Sequence, residues 1–278
     1  MMKYFCNRMA RSLPLAGLML VFGSVLLAGG LAGCAANGPG VTASPEVYTE
    51  SDEPESRKRA TNRLKLAVLY FQDAKYNFAL DEVKQAIQTD PSWYQPYWMR
   101  GLIQMQTGEF GPAEASFQKA LSINANSADV KHNYGVLLCK MKRPAEARRM
   151  FEAALADPAY TQRAKTWQEL ANCQMVSGQK ADAEASFMRS YELDPGNAVT
   201  GYNLANLMFE RGETVRAQFY ARRINNTDRA TAESLWLGIK IERSLGVREA
   251  QLQLEGQLRK RFGQSREALA LERGAFNE

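Results

Sequence analysis

Four cysteines and one histidine give this 278-residue chain its widest chemical reach. Cys34 closes the run Leu31-Ala32-Gly33-Cys34, a branched apolar residue and two small ones ahead of a thiol. Small residues let a chain lie extended, and the thiol that follows them is a nucleophile. Cys6 lies upstream, and Cys139 and Cys173 lie far downstream within apolar, helix-period stretches. An oxidising compartment would let the last two form a disulfide; burial as two small hydrophobes is the other reading. With His132 the sole histidine and no Cys-x-x-Cys, no metal site is expected. The chain has no Gly-x-Ser-x-Gly, P-loop, His-Glu-x-x-His or dinucleotide fingerprint. A serine triad would have to recruit His132 from inside a helical pattern. The acidic pairs Asp81-Glu82 and Asp182 with Glu184 read as solvent-face charge. The chain therefore reads as a non-enzyme, with no catalytic residue and no small-molecule substrate.

The elements around Cys34 decide what it is for. Lys3, Arg8 and Arg11 precede an apolar stretch from Leu13 to Ala32, and no acid occurs before Glu46. A positive start, an apolar middle and a small-residue end describe a secretory signal peptide, although ~20 apolar residues also suffice to span a bilayer. Leu31-Ala32-Gly33-Cys34 resembles the bacterial lipobox, which implies that residues 1–33 are removed and that Cys34 becomes a lipidated N-terminus. Ala35 and Ala36 follow it without an Asp, which by analogy implies the outer membrane of a Gram-negative cell, facing the periplasm. Covalent acyl chains such as palmitate, worth about 0.8 kcal/mol per buried CH2, are the only non-protein group expected, with no cofactor besides. Losing the leader changes 35 basic and 30 acidic residues into 32 and 30, a net charge of +2. So slight a balance excludes nucleic acid as an expected partner.

Residues 34–58, which include "AANGPGVTASPEVYTESDEPESR", are rich in Pro, Gly, Ser and acid and read as the lipidated end and a flexible tether. Beyond them the chain repeats. Ala67, Gly101, Gly135, Ala171, Ala205 and Gly238 recur at intervals of about 34 residues, and so do Ala79, Ala113, Ala147, Ala183, Ala217 and Ala250. Phe117, Phe151 and Phe187 follow the same rhythm, with Pro91 and Pro195 at segment ends. This resembles the tetratricopeptide pattern. Small residues let two antiparallel helices approach closely, aromatic rings fill the space between hairpins, and proline ends the second helix. The expected architecture is all-α, a right-handed superhelix of six hairpins over 59–262, at about 60–93, 94–127, 128–161, 164–197, 198–230 and 231–264. Residues 263–278 are expected to cap the stack or fray.

In this repeat class the first helix of each hairpin lines a concave groove, and helical spacing selects its residues. They are Leu64, Val68 and Phe71 in the first repeat and Trp98, Leu102 and Met105 in the second. The third offers His132, Val136 and Cys139, the fourth Gln168, Asn172 and Met175, and the fifth Tyr202, Asn206 and Phe209. The early groove is apolar and the later part carries amides, with Asn172, Asn203 and Asn206 placed to hydrogen-bond a partner backbone. An amphipathic helix or extended peptide is the simplest occupant. A clamp for terminal carboxylates is not expected in the groove, because Ala232 and Trp236 stand where its cations would be.

The chain resembles the type IV pilus biogenesis/stability lipoproteins, the PilW/PilF-type pilotins. "HNYGVLLCKMKRPAEARRMFEAAL", the excursion "ADPAYTQRAKTWQELANCQMVSGQKADAEASF" and "ESLWLGIKIERSLG" carry the likeness, with the two-residue insertion before Trp167 in the expected place. The resemblance implies a lipid-anchored protein that binds the secretin subunit, escorts it to the outer membrane and promotes its multimerisation. It nominates Leu64, Val68, Phe71, Trp98, Leu102 and Met105 as the contact. A general tetratricopeptide scaffold for cell-envelope or peptidoglycan machinery is the alternative, since a groove does not name its ligand.

Overall fold

In the computed structural model, residues 52–276 are described; the leader, Cys34 and most of the tether lie outside them. Thirteen helices occur among the described residues, and no strand. Twelve pair into six antiparallel hairpins: α1 (Glu55–Gln72) with α2 (Tyr76–Thr89), α3 (Tyr94–Gln106) with α4 (Phe110–Ile123), and α5 (Ala128–Lys140) with α6 (Pro144–Leu155). The others are α7 (Arg163–Val176) with α8 (Lys180–Leu193), α9 (Ala198–Glu210) with α10 (Thr214–Asn225), and α11 (Ala232–Ser244) with α12 (Arg248–Phe262). Helix α13 (Arg266–Arg273) packs on α11 and α12 through Ala268, Ala270 and Leu271, so the C-terminal segment is a cap. The fold is the all-helical hairpin superhelix that the repeat predicted.

Two turn signatures generate the repetition. Within the hairpins, Ala74, Gly108, Lys142, Gly178, Gly212 and Gly246 all take positive φ, at spacings of 34 residues except across the insertion. Four are glycine, which enters that region without steric cost; Ala74 and Lys142 enter it with a Cβ. Between hairpins, the Oδ1 atoms of Asp90, Asn124, Asp157 and Asp194 accept from the backbone N–H two residues on. Each bond closes an Asx turn that stops one hairpin and aims the next.

The small residues act as expected, with one refinement. Ala67, Ala171 and Ala205 are fully buried. A Cβ on Gly101 would lie 2.7 Å from the Phe117 ring, and one on Gly135 2.8 Å from Phe151. Each phenylalanine thus fills its own hairpin as well as the gap to the next, where Phe117 meets Tyr134 with ring centres 6.2 Å apart.

The tether ends earlier than expected, because α1 already starts at Glu55. Arg57 belongs to that helix: it pairs with Asp90, and its guanidinium covers the Trp93 ring at 5.0 Å. Burial pushes the Asp90 carboxyl up, but the Ser92 and Arg57 hydrogen bonds outweigh it and hold the group below its usual range. Three of the acids expected on solvent faces make ion pairs: Glu82 with Arg63 in its own hairpin, Asp182 with Arg148 of the preceding one at 3.9 Å, and Glu184 with both guanidinium branches of Arg211 from the next one.

Candidate functional site

The first helices of the early hairpins bring seven of the expected groove residues against two cores that share Leu102. Trp98, Leu102 and Met105 from α3 rest half-buried on the same core as Val136 and Cys139 from α5 and Trp167 from α7. Leu64 and Phe71 from α1 pack half-buried with Leu102 over Ala67, Val83 and Ile103. Leu102 touches both cores and makes the strip continuous. Val68 is 36% exposed. The indole N–H of Trp98 is buried and meets no acceptor, an uncommon condition for a buried donor.

The first hairpin carries more exposed apolar surface than the periodicity indicated. Leu66 is 41% exposed, Leu69 57% and Phe78 60%, and the Phe78 ring lies tilted against Tyr70 with centres 5.5 Å apart. Helix α1 is apolar nearly all round from Leu64 to Phe71, so no single stripe stood out. An apolar run without a polar interval was the available signal.

His132 does not line the groove. It is 4% exposed, and its Nδ1 lies 2.8 Å from Thr166 Oγ1, whose hydroxyl also reaches the Tyr160 hydroxyl at 3.1 Å. Burial, reinforced by the nearby Lys165 charge, lowers its pKa to about 4, so the ring is neutral at pH 7. The insertion around residues 156–162 delivers Tyr160 to this network, which ties the third hairpin to the fourth. In the same interface Cys139 and Cys173 are joined as a disulfide with Cα atoms 5.7 Å apart, so the bridged alternative holds. Both readings of the cysteines meet here, because Cys173 is also buried.

The amides of the later groove already have local partners. Asn203 donates to the Val199 carbonyl at 2.9 Å and Asn206 to Glu210 at 2.8 Å, while Asn172 approaches Glu169 at 3.5 Å. Gln168 accepts from Asn197 at 2.7 Å. Met175, Tyr202 and Phe209 lie half-buried on the core of the fourth and fifth hairpins. Among the described residues no group of His, Cys, Asp and Glu could hold a metal, and no helix is long and apolar enough to cross a membrane.

The comparisons with known proteins agree with this architecture. The tetratricopeptide repeat family matches residues 94–127 and 164–197. The type IV pilus assembly protein PilF of Pseudomonas aeruginosa is 25% identical over 237 residues, which is 85% of this chain and 91% of PilF. The solved PilF structure superimposes with a TM-score of 0.71 at 23% identity, over 80% of this chain and all of the solved PilF chain. The crystal structure of PilW, a widely conserved type IV pilus biogenesis factor, gives a TM-score of 0.66 at 30% identity, over 76% of this chain and 97% of PilW. With a strip of half-buried apolar residues on a stack of six hairpins, the chain belongs to the tetratricopeptide-repeat family of type IV pilus biogenesis proteins that includes PilF and PilW.

Proposed function

We propose that this protein is a pilotin: a lipoprotein anchored in the outer membrane through Cys34 that binds the secretin subunit of the type IV pilus. It brings the subunit to that membrane and promotes its multimerisation. The observation that carries the reading is the relatedness to pilus biogenesis proteins across nearly the whole hairpin stack. The apolar strip from Leu64 to Met105 supports the contact, and the lipobox-like run before Cys34 supports the anchor. A repeat scaffold of this kind points to a protein-interaction role rather than catalysis.

Each half of the mechanism uses one physical property. Lipid fixes the protein at a surface and raises the local concentration of whatever it holds. Trp98, Leu102 and Phe71 offer apolar area that a secretin segment would cover, and aromatic anchors of this kind dominate binding energy. The test combines removal and dissection. Deleting the gene should abolish secretin multimers and surface pili, and normal multimers would contradict the proposal. Trp98→Ser with Leu102→Ser should lose secretin in pull-down while keeping the helical circular dichroism spectrum. Cys34→Ser should fold but leave secretin short of the outer membrane; recovery of that variant in the outer membrane fraction would refute the anchor.

A further inference from the structure

A second recognition site lies away from the apolar strip, at the loop ends of the fourth to sixth hairpins. Two cavities adjoin there, of about 310 and 320 Å³, and share Ala198, Ile224 and Arg229 as a common wall. Each is at the small end of the range for ligand pockets, which begins near ~300 Å³, and matches one side chain rather than a helix.

The first cavity is built for a single negative charge. Tyr191 and Tyr220 form its aromatic wall, edge to face with ring centres 5.0 Å apart. The guanidinium of Arg223 lies 5.8 Å from the Tyr191 ring centre and 5.9 Å from that of Phe219, and no carboxylate pairs with it among the described residues. Arg229 also lines the cavity, giving one hydrogen bond to the Gly196 carbonyl and making no ion pair among the described residues. The Tyr191 hydroxyl oxygen is buried and has no hydrogen-bond partner. Asn197 and Ala198 bring the N-terminal end of α9 to the same cavity, adding the positive end of its dipole. Asp228 also lines it, so the side chains sum to one positive charge.

The second cavity has a different character. Ala198, Val199, Tyr202 and Ile224 give it an apolar lining, and Val199 is half-exposed at its mouth. Glu233 stands with Arg229 at its edge. The two acids, Asp228 and Glu233, disfavour a doubly charged phosphate, yet they can accept the backbone N–H groups that a peptide carries and a fatty acid lacks.

We propose that these paired cavities bind the C-terminal carboxylate of a polypeptide with apolar final residues. The carboxylate meets Arg223, Arg229 and the Tyr191 hydroxyl, and an apolar side chain enters the neighbouring cavity. Arginine suits the charged end because its planar fork holds a carboxylate through two parallel bonds. This site adjoins the later groove at Tyr202 but takes its cations from Arg223 on α10 and Arg229 after it, not from the first-helix positions where Ala232 and Trp236 stand, and the inference does not rest on the secretin reading.

Isothermal titration of the full-length protein tests it, with an acetylated tetrapeptide ending in a free-acid phenylalanine, the same peptide amidated, and laurate. The acid should bind roughly tenfold tighter than the amide, the factor that one lost charged interaction of ~1.4 kcal/mol produces. Arg223→Gln and Tyr191→Phe should each weaken the acid, and Asp228→Asn should strengthen it. Equal binding of acid and amide, no binding of either peptide, or binding of laurate alone would overturn the proposal. The acid-to-amide comparison uses the unaltered protein, so it stands even if a variant misfolds.

Discussion

Reducing the Cys139–Cys173 bond should cost the protein several kcal/mol, confined to one interface. The cysteines are 34 residues apart and join α5 to α7, enclosing α6 and the excursion that follows it. A loop of that length removes about 13 cal/mol/K of entropy from the unfolded chain, or ~3.8 kcal/mol at 25 °C. Reduction leaves both sulfur atoms in place, so packing changes little and loop closure is the main effect. In a solenoid, stability is a sum of hairpin and neighbour terms, which places the loss at the boundary of the third and fourth hairpins. Urea unfolding followed by circular dichroism, with and without a phosphine reductant, measures it. With a slope of ~3 kcal/mol/M, the midpoint of the transition involving those hairpins should fall by roughly 1 M. Cys139→Ala with Cys173→Ala should behave like the reduced protein, within the ~1 kcal/mol that the missing sulfurs contribute. Coincident curves for oxidised and reduced protein would refute the reasoning.

Three further outcomes follow from single residues. The folded-state pKa of His132 is lowered to about 4 from 6.5, so the neutral ring's contribution is complete above pH 6.5 and is lost as pH falls from there toward 4. That loss is on the order of 3 kcal/mol; His132→Asn should flatten the pH dependence of urea stability in that window, and an unchanged profile would contradict the assignment. Ala74→Gly and Lys142→Gly should each stabilise by roughly 0.5–1 kcal/mol, since positive φ costs a Cβ-bearing residue more than glycine loses in entropy; lower thermal midpoints would count against this. Glu242 is buried and held by two bonds from Arg222 and one from Gln218. Arg222→Met strands that carboxylate and should destabilise by about 3 kcal/mol, most of it recovered by adding Glu242→Gln; no recovery would show that the charge is not the cause.

The hairpin stack was legible because its determinants are local and repeated. The spacing of Gly101 and Gly135, with their phenylalanine neighbours, is a packing requirement that recurs every 34 residues. Similar logic exposed the half-buried row of Trp98, Leu102 and Met105, since one helix face carries it. His132 escaped because its position has groove spacing while its environment is made by Tyr160, which a two-residue insertion delivers from outside the repeat. Arg57 escaped for a similar reason: the first turn of its helix is tied to a long-range partner, Asp90, within a composition that otherwise reads as tether. The disulfide stayed open because two cysteines a repeat apart also suit a buried pair, and only the stacking of α5 on α7 brings them to bonding range. The cavities beside Arg223 and Arg229 join loop ends from three hairpins, so no periodic signal marks them.

Photocrosslinking in living cells tests the central claim most directly. A photoreactive residue replacing Leu102, at the middle of the apolar strip, should capture the secretin subunit, while one replacing exposed Val215 on α10 should not. Capture from Val215 with none from Leu102, or no secretin from either, would contradict the account.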